Sequence, residues 1–392
     1  MIPSSTDFIR AMEAPVKEAF IKMEIYDSEM NYIREITNRV AKDSMGVLNI
    51  DADRPVRRSF SFELNNSDNI FDWGEDKEIW IDKRIKLYTG MKTYDDNVEY
   101  IPQGVFILSS PSDQNNFDGK ITKIEGYDKA YLLTDKRGKF INEQTIEEGA
   151  PIRTAIRIIA EGAGETMFNF DSVDKNVPYE LTYGSGDNRW NAIEELAELA
   201  ECDIFYDVHG YLTLRKIDLN GFRNEPSVWT YEYGNPREKF YAGNVRSMDE
   251  SNLANHIRVL GGSGQTAIAR YDLIVDEDDP LWEGSPYSIQ KIGTVLYEHE
   301  NGSPDPVITT DDEAKWRAKF ELMRRLGYAE SLRVDISPNY LHDGNDVVEI
   351  IDEENNVSGK YLLKSFSIPL SPETMTMNLI KYREVIEDWD FI

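Results

Sequence analysis

The sequence holds one cysteine in 392 residues, Cys202, which leaves no intrachain disulfide framework and no Cys-rich metal site. Histidine is nearly as scarce. His209, His256, His299 and His342 each stand alone; His299 is followed by Glu300-Asn301-Gly302-Ser303, so the H-E-x-x-H pattern is missing. Basic residues number 43 against 72 acidic ones, a formal charge of minus 29. With so few cations to neutralise phosphates, stable nucleic-acid binding is not expected. No stretch approaches the roughly 18 consecutive apolar residues that span a bilayer, and no membrane insertion is expected. The start, Met1-Ile2-Pro3-Ser4-Ser5-Thr6-Asp7, lacks the basic-then-apolar order of a signal peptide, which points to synthesis and assembly in a cytoplasm.

Catalytic signatures are equally thin. There is no G-x-S-x-G elbow. Gly261-Gly262-Ser263-Gly264 follows an apolar strand as a phosphate loop would, but no Lys-Ser/Thr comes after it and no helix begins there. Cys202 and His209 could form a thiol-peptidase pair, yet Cys202 lies between a helix and an apolar strand, where a thiol is commonly buried and inert. The acidic runs Asp276-Glu277-Asp278-Asp279, Asp311-Asp312-Glu313 and Asp352-Glu353-Glu354 lack the ligand order of an EF-hand and read as solvated loops. No catalytic, cofactor-binding or metal residue is assigned, and no enzymatic activity is expected.

What is present is enough apolar surface to fold. Hydrophobic residues make up 40% and aromatics 11% of a chain too long for one core, so three domains are expected. Residues 1–140 read as a run of short strands: 18–26 and 32–37 around a Ser28–Asn31 turn, then 47–50, 57–64, 79–88, 105–108 and 120–127. Phe60, Phe62 and Leu64 alternate with polar partners, as a half-buried strand requires. Asp95-Asp96-Asn97 and Asp113-Gln114-Asn115-Asn116 mark turns, and the whole suggests a β-barrel or sandwich.

Residues 141–245 change character. Pro151 opens a helix with Ile152, Ala155, Ile156 and Ile159 on one face. A second helix, 190–201, carries Trp190, Ile193, Ala197 and Ala200, with Asp187 or Ser185 as caps. The strands 203–207 and 211–217 then flank a Val208-His209-Gly210 hairpin turn, giving an α+β middle. Residues 246–392 return to strands at 255–260, 268–275, 293–299, 331–336, 347–351, 360–368 and 374–380. One helix interrupts them, with a Thr310/Glu313 capping box, a Trp316, Phe320, Met323 stripe and a Gly327 stop. No fixed short repeat is present, but β-rich first and last thirds are compatible with a diverged duplication, and two β-domains of the same topology are expected.

Taken together these segments resemble the bacteriophage tail hub or baseplate hub family, including hub-like parts of tail-associated proteins and phage-derived bacteriocins. The likeness rests on EAFIKMEIYD, on RRSFSFELNN after Val47-Leu48-Asn49-Ile50-Asp51, and on Gly104-Val105-Phe106-Ile107-Leu108 with residues 120–133. It continues through the Trp190-led helix into DIFYDVHGYLTLRKI, then residues 255–261, the helix from Thr310, Pro338-Asn339-Tyr340, Gly344-Asn345-Asp346-Val347-Val348 and Gly359-Lys360-Tyr361. The resemblance implies a mainly β chain of two tail-tube-like barrel or sandwich domains with a small α+β domain between them. It implies a homotrimer in which two tube-like domains per subunit imitate a sixfold ring and join a sixfold tail tube to a threefold tip. Tail tube or distal tail proteins, and tip, spike or tape measure proteins, are the implied partners; the virion tail is the location, and tail assembly and genome ejection are the processes. Some relatives carry a C-terminal peptidase, lysozyme or receptor-binding part; as the sequence stops at Ile392 just after the second barrel, no wall-degrading role is expected. The alternative is a glycan hydrolase or glycan-binding tail protein, which two carboxylates in a cleft with aromatic platforms would favour. If subunits form a ring around a passing genome, an acidic inner face is expected, with Arg57, Arg58, Arg324 and Arg325 in structural pairs or subunit contacts elsewhere.

Overall fold

The computed structural model describes residues 1–14, 17–37, 39, 46–116, 119–217, 219, 225–235, 240–263, 266–276, 286–328, 330–370 and 373–381. Helix α1 (Thr6–Glu13) is capped by Ser5 and packs Phe8, Ala11 and Met12 into the main core. Seven strands follow: β1 (Ala19–Tyr26), β2 (Tyr32–Thr37), β3 (Val47–Asp51), β4 (Arg58–Asn65), β5 (Arg84–Lys92), β6 (Val98–Asn116) and β7 (Gly119–Asp128). The alternation in β4 places Phe60, Phe62 and Leu64 inside; fully burying each contributes about 1.5–3 kcal/mol. Phe60 stacks on Phe62 and meets Phe106 edge-on.

Two strand expectations in this part need correction. The strand expected over 79–88 begins only at Arg84, because Lys83 N bonds back to Trp80 O and makes a turn. The turn expected at Asp113–Asn116 is the far end of β6, where Asp113 faces Thr122 and accepts its hydroxyl at 2.6 Å.

The middle holds β8 (Gln144–Ile146), α2 (Ile152–Glu161), β9 (Phe168–Phe170), β10 (Leu181–Tyr183), α3 (Arg189–Leu199), β11 (Cys202–Tyr206) and β12 (Leu212–Lys216). Ile152, Ala155, Ile156 and Ile159 of α2 share a core with Trp190, Ile193 and Ala197 of α3, as their helical spacing anticipates. The cap of α3 is Asn188, whose Oδ1 accepts from Trp190 N at 2.9 Å. Ser185 and Asp187 are engaged in the preceding turn instead, with Ile141 O and Gly184 N.

The last part comprises β13 (Trp229–Glu232), β14 (Phe240–Met248), β15 (His256–Ser263), β16 (Thr266–Ile274), α4 (Ile289–Ile292), β17 (Leu296–Glu298), α5 (Asp311–Tyr328), β18 (Glu330–Ile336), β19 (Val347–Asp352), β20 (Val357–Pro369) and β21 (Met375–Lys381). The capping box of α5 is present: Glu313 N donates to Thr310 Oγ1, and Glu313 Oε2 accepts from Thr310 N. The expected apolar stripe needs correction. Ala314, Ala318, Leu322 and Leu326 pack with β15 and β16 into a separate small core, which Met323 of the expected stripe also joins, while Trp316 and Phe320 stack on each other at 5.3 Å along a cleft between the cores. Nor does Gly327 stop the helix, which runs to Tyr328.

The strands of the first and last parts make one sheet, in the order β14-β18-β21-β20-β3-β4-β7-β6-β5-β1-β2, with β19 beside β20 and β13 beside β19. Within it the path β3-β4-β7-β6-β5 recurs as β14-β18-β21-β20-β19, in the same chain order. The two halves share a single hydrophobic core, and the small α5 core lies within the stretch between β14 and β18.

Candidate functional site

The side chains that could carry chemistry are dispersed and engaged. Cys202 opens β11, buried; its Sγ donates to Ala200 O at 3.2 Å, and burial pushes the thiol up to about 11. His209 is exposed in the turn at the other end of that strand, so the two do not meet. His256 Nε2 lies 2.9 Å from Asp272 Oδ1, and His299 Nε2 lies 2.7 Å from Asp305 Oδ2. His342 is fully buried, 2.6 Å from the Tyr231 hydroxyl and 3.2 Å from Asp346. Burial would raise the Asp272 carboxyl, but hydrogen bonds from His256, Arg270 and Arg258 outweigh it and hold the group down at about 2. Among the described residues, no three His, Cys, Asp or Glu side chains converge as metal ligands would.

The glycine and acidic runs have local structural work. Gly261 and Gly262 lie in β15, where a Cβ would stand 2.3 Å from Ile308 O or 2.2 Å from Thr266 O, so they mark close backbone approach. Gly264 lies outside the described residues, as do residues 277–279 of the first acidic run. Asp311 accepts from Arg270 N at 2.9 Å, and Glu313 caps α5. Asp352 is buried and organises the turn after β19 by accepting from the backbone and side chain of Asn355.

The junction between the three hydrophobic cores is denser. A cleft of about 1110 Å³ lies between α3, β11, α5 and the large sheet, walled in part by Arg57, Trp190, Glu198, Phe205, Trp316 and Arg324. Arg57 bonds Asp203 at 2.6 Å and lies 4.6 Å from the centre of the Phe205 ring, and Arg317 bonds Glu198 at 3.1 Å. Just after β7, the buried Lys129 reaches Glu165 at 2.8 Å and Gly210 O at 2.9 Å. Glu165 also accepts from the Tyr206 hydroxyl at 2.6 Å and from the backbone N–H of Thr166 and Met167, both at 2.8 Å. Burial lowers the Lys129 ammonium and raises the Tyr206 hydroxyl from their ordinary values. Between the sheet halves, the buried Arg58 pairs with Asp343 and donates to Gln103 O, and Gln103 donates to Tyr340 O at 2.8 Å. Of the arginines expected in structural pairs, Arg57, Arg58 and Arg325 are so paired, the last with Glu321; Arg324 is exposed on the cleft wall. Such an arrangement fixes three cores against one another.

Unsatisfied backbone lies elsewhere, at strand edges that the sequence reading did not identify. Among the described residues the backbone of β14 is paired in the sheet only with β18, that of β2 only with β1, and residues 112–116 of β6 only with β7. Val245 and Met248 of β14 are 58% and 64% exposed. Open edges of this kind are templates for pairing with another chain. The available signal was the lost apolar alternation in Asn244–Met248, which fits no covered strand.

No protein-family model matches the sequence, and no curated protein matches it. Solved structures do. The tail protein from Neisseria meningitidis MC58 aligns over 92% of this chain and 96% of its own at 14% identity, with a TM-score of 0.62. The 43 kDa tail protein of prophage MuSo2 from Shewanella oneidensis aligns over 92% and 98% at 12% identity, with a TM-score of 0.59. Prophage tail protein gp18 from Listeria monocytogenes EGD-e aligns over 93% and 96% at 12% identity, with a TM-score of 0.56. At these identities the likeness is one of fold, and it extends over nearly the whole chain: the protein has the fold of phage tail proteins, the group its sequence resembles.

Proposed function

We propose that this chain is a structural, non-enzymatic subunit of a phage-type tail or baseplate, a trimeric hub that adapts a sixfold tail tube to a threefold tip or spike. One observation carries the reading: a single chain contains the same five-strand path twice, so three chains supply six such units. On this reading residues 1–140 are the first tube-like domain; the α+β insertion, expected over 141–245, ends before β13, and the second tube-like domain, expected over 246–392, takes in β13 and β14, with the α5 core its elaboration. Self-association, tail tube or distal tail proteins, and tip, spike or tape measure proteins are its partners; it is made in the bacterial host cytoplasm and resides in the virion tail. The inner face of the ring is acidic and repels the passing genome. Light scattering on the purified chain should give a trimer mass, or imaging of assembled tails should reveal three copies around the axis. A monomer in both would remove the adaptor role.

One observation favours the second reading, a glycan hydrolase or glycan-binding tail protein: the stacked Trp316 and Phe320 share the cleft with Glu194 and Glu198. Zymography against host cell walls separates the two. No clearing is expected; clearing abolished by Glu194→Gln or Glu198→Gln would make the chain a glycosidase.

A further inference from the structure

The halves of the large sheet correspond strand for strand and also in register. Ser59 faces Tyr127 where β4 meets β7, and Ser331 faces Ile380 where β18 meets β21. Counting from these pairs, the buried Phe60, Phe62 and Leu64 fall on the buried Leu332, Val334 and Ile336. Each half also carries one irregularity in this region, β6 between Ser109 and Ser112 against β7 and β20 between Leu363 and Ser365 against β21, and the β7–β21 correspondence sets Ser365 on Ser109 and Ser367 on Ser112. Where the halves meet inside the chain, β3 pairs antiparallel with the outer part of β20: Asp51 with Ser365, Ile50 with Phe366, Asn49 with Ser367 and Leu48 with Ile368.

The counterparts of those two seam segments are β14 and the outer part of β6 that includes residues 112–114. Both are open among the described residues: β14 has β18 on one side only, and residues 112–116 have β7 on one side only. We propose that β14 of one subunit pairs antiparallel with residues 112–116 of the next copy, repeating between chains the β3–β20 seam already made within each chain. The proposal deepens the trimer reading and rests on it. The contact joins two different edges, so it is heterologous and closes only as a ring.

Transferring the internal register places Ser247 opposite Ser112, Arg246 opposite Asp113 and Val245 opposite Gln114. Composition distinguishes the two seams. The internal one buries Leu48, Ile368, Ile50 and Phe366, as suits strands that never separate. Four of the six residues at the corresponding open positions, Ser247, Ser112, Asp113 and Gln114, are exposed and uncharged-polar or acidic, and Arg246 adds a cation. A free subunit thus keeps wettable edges, and association relies on backbone hydrogen bonds with an arginine set among amide and acidic neighbours.

Cysteine cross-linking tests this in the full chain with Cys202→Ser removing the native thiol. Directly opposed antiparallel residues have Cα atoms about 4.5–5.5 Å apart, within the roughly 4.4–6.8 Å that a disulfide spans. A chain carrying both Ser247→Cys and Ser112→Cys should oxidise to a covalent trimer on non-reducing gels, while each single variant stays a single chain. Both sites are exposed on the subunit, and circular dichroism of the reduced protein verifies folding. A trimer by mass in which Ser247→Cys links to none of Ser112→Cys, Asp113→Cys or Gln114→Cys overturns the seam and leaves the trimer standing. Covalent dimers from Ser247→Cys alone would mean a twofold contact and overturn it as well. A chain that stays monomeric in solution and in assembled tails overturns the trimer reading, and the seam falls with it.

Discussion

Replacing Lys129 by methionine should loosen the attachment of the α+β middle part to the large sheet more than any surface change. Lys129 and Glu165 are both nearly fully buried, and the ammonium serves Glu165 and Gly210 O at once. Methionine keeps the length of the aliphatic stem, so little packing is lost, but Glu165 becomes an unpaired charge under cover. Removing one partner of a buried pair costs about 3–5 kcal/mol. The lower end applies here, about 3 kcal/mol, because Tyr206 and two backbone N–H groups still donate to the carboxylate. The double variant Lys129→Met with Glu165→Gln removes both charges while the amide oxygen still accepts, and should recover at least half of the loss. Urea unfolding followed by circular dichroism and tryptophan fluorescence at pH 7.5 measures both. A loss below about 1 kcal/mol for Lys129→Met, or a double variant no better than the single one, would refute the view that this buried pair holds the junction.

Two further outcomes follow from the core. Gly126→Ala would place a Cβ 2.4 Å from Phe60 Cε1, in a ring held by Phe62 and Phe106; a loss of about 1–3 kcal/mol in urea unfolding is expected, and an unchanged midpoint would contradict the packing. Asp128 is pushed up to about 7, chiefly by burial. Between its ordinary value near 3.8 and 7 the folded carboxyl therefore holds a proton that the unfolded one has released, so stability falls as pH rises through that window, by up to about 4 kcal/mol. Asp128→Asn should flatten this slope in urea midpoints taken from pH 4.5 to 8; equal slopes in variant and parent would dismiss Asp128 as its source.

How much was legible before the structure depends on the range of the interactions involved. The alternation of Phe60, Phe62 and Leu64, the helical spacing of Ile152 to Ile159 and the Thr310/Glu313 box are set by neighbours a few residues apart, so local pattern sufficed. Polarity misled at Asp113–Asn116, where turn-forming residues continue a strand because β7 supplies partners. On α5 two apolar stripes were present, and sequence alone does not say which faces the helix's own core and which faces the cleft.

By itself the sequence determined that the chain is mainly β with an α+β middle, that its single cysteine and four histidines form no recognisable reactive motif, and that it resembles phage tail hubs. The tertiary structure decided what joins to what: that Asp51 pairs with Ser365, that Lys129 crosses to Glu165, and that β14 and the end of β6 are left with an open side. Periodicity records whether a residue faces inward, since that is imposed on each side chain singly. A seam is a relation between two distant segments whose backbones are chemically alike, so its partner is fixed only when the whole chain has folded.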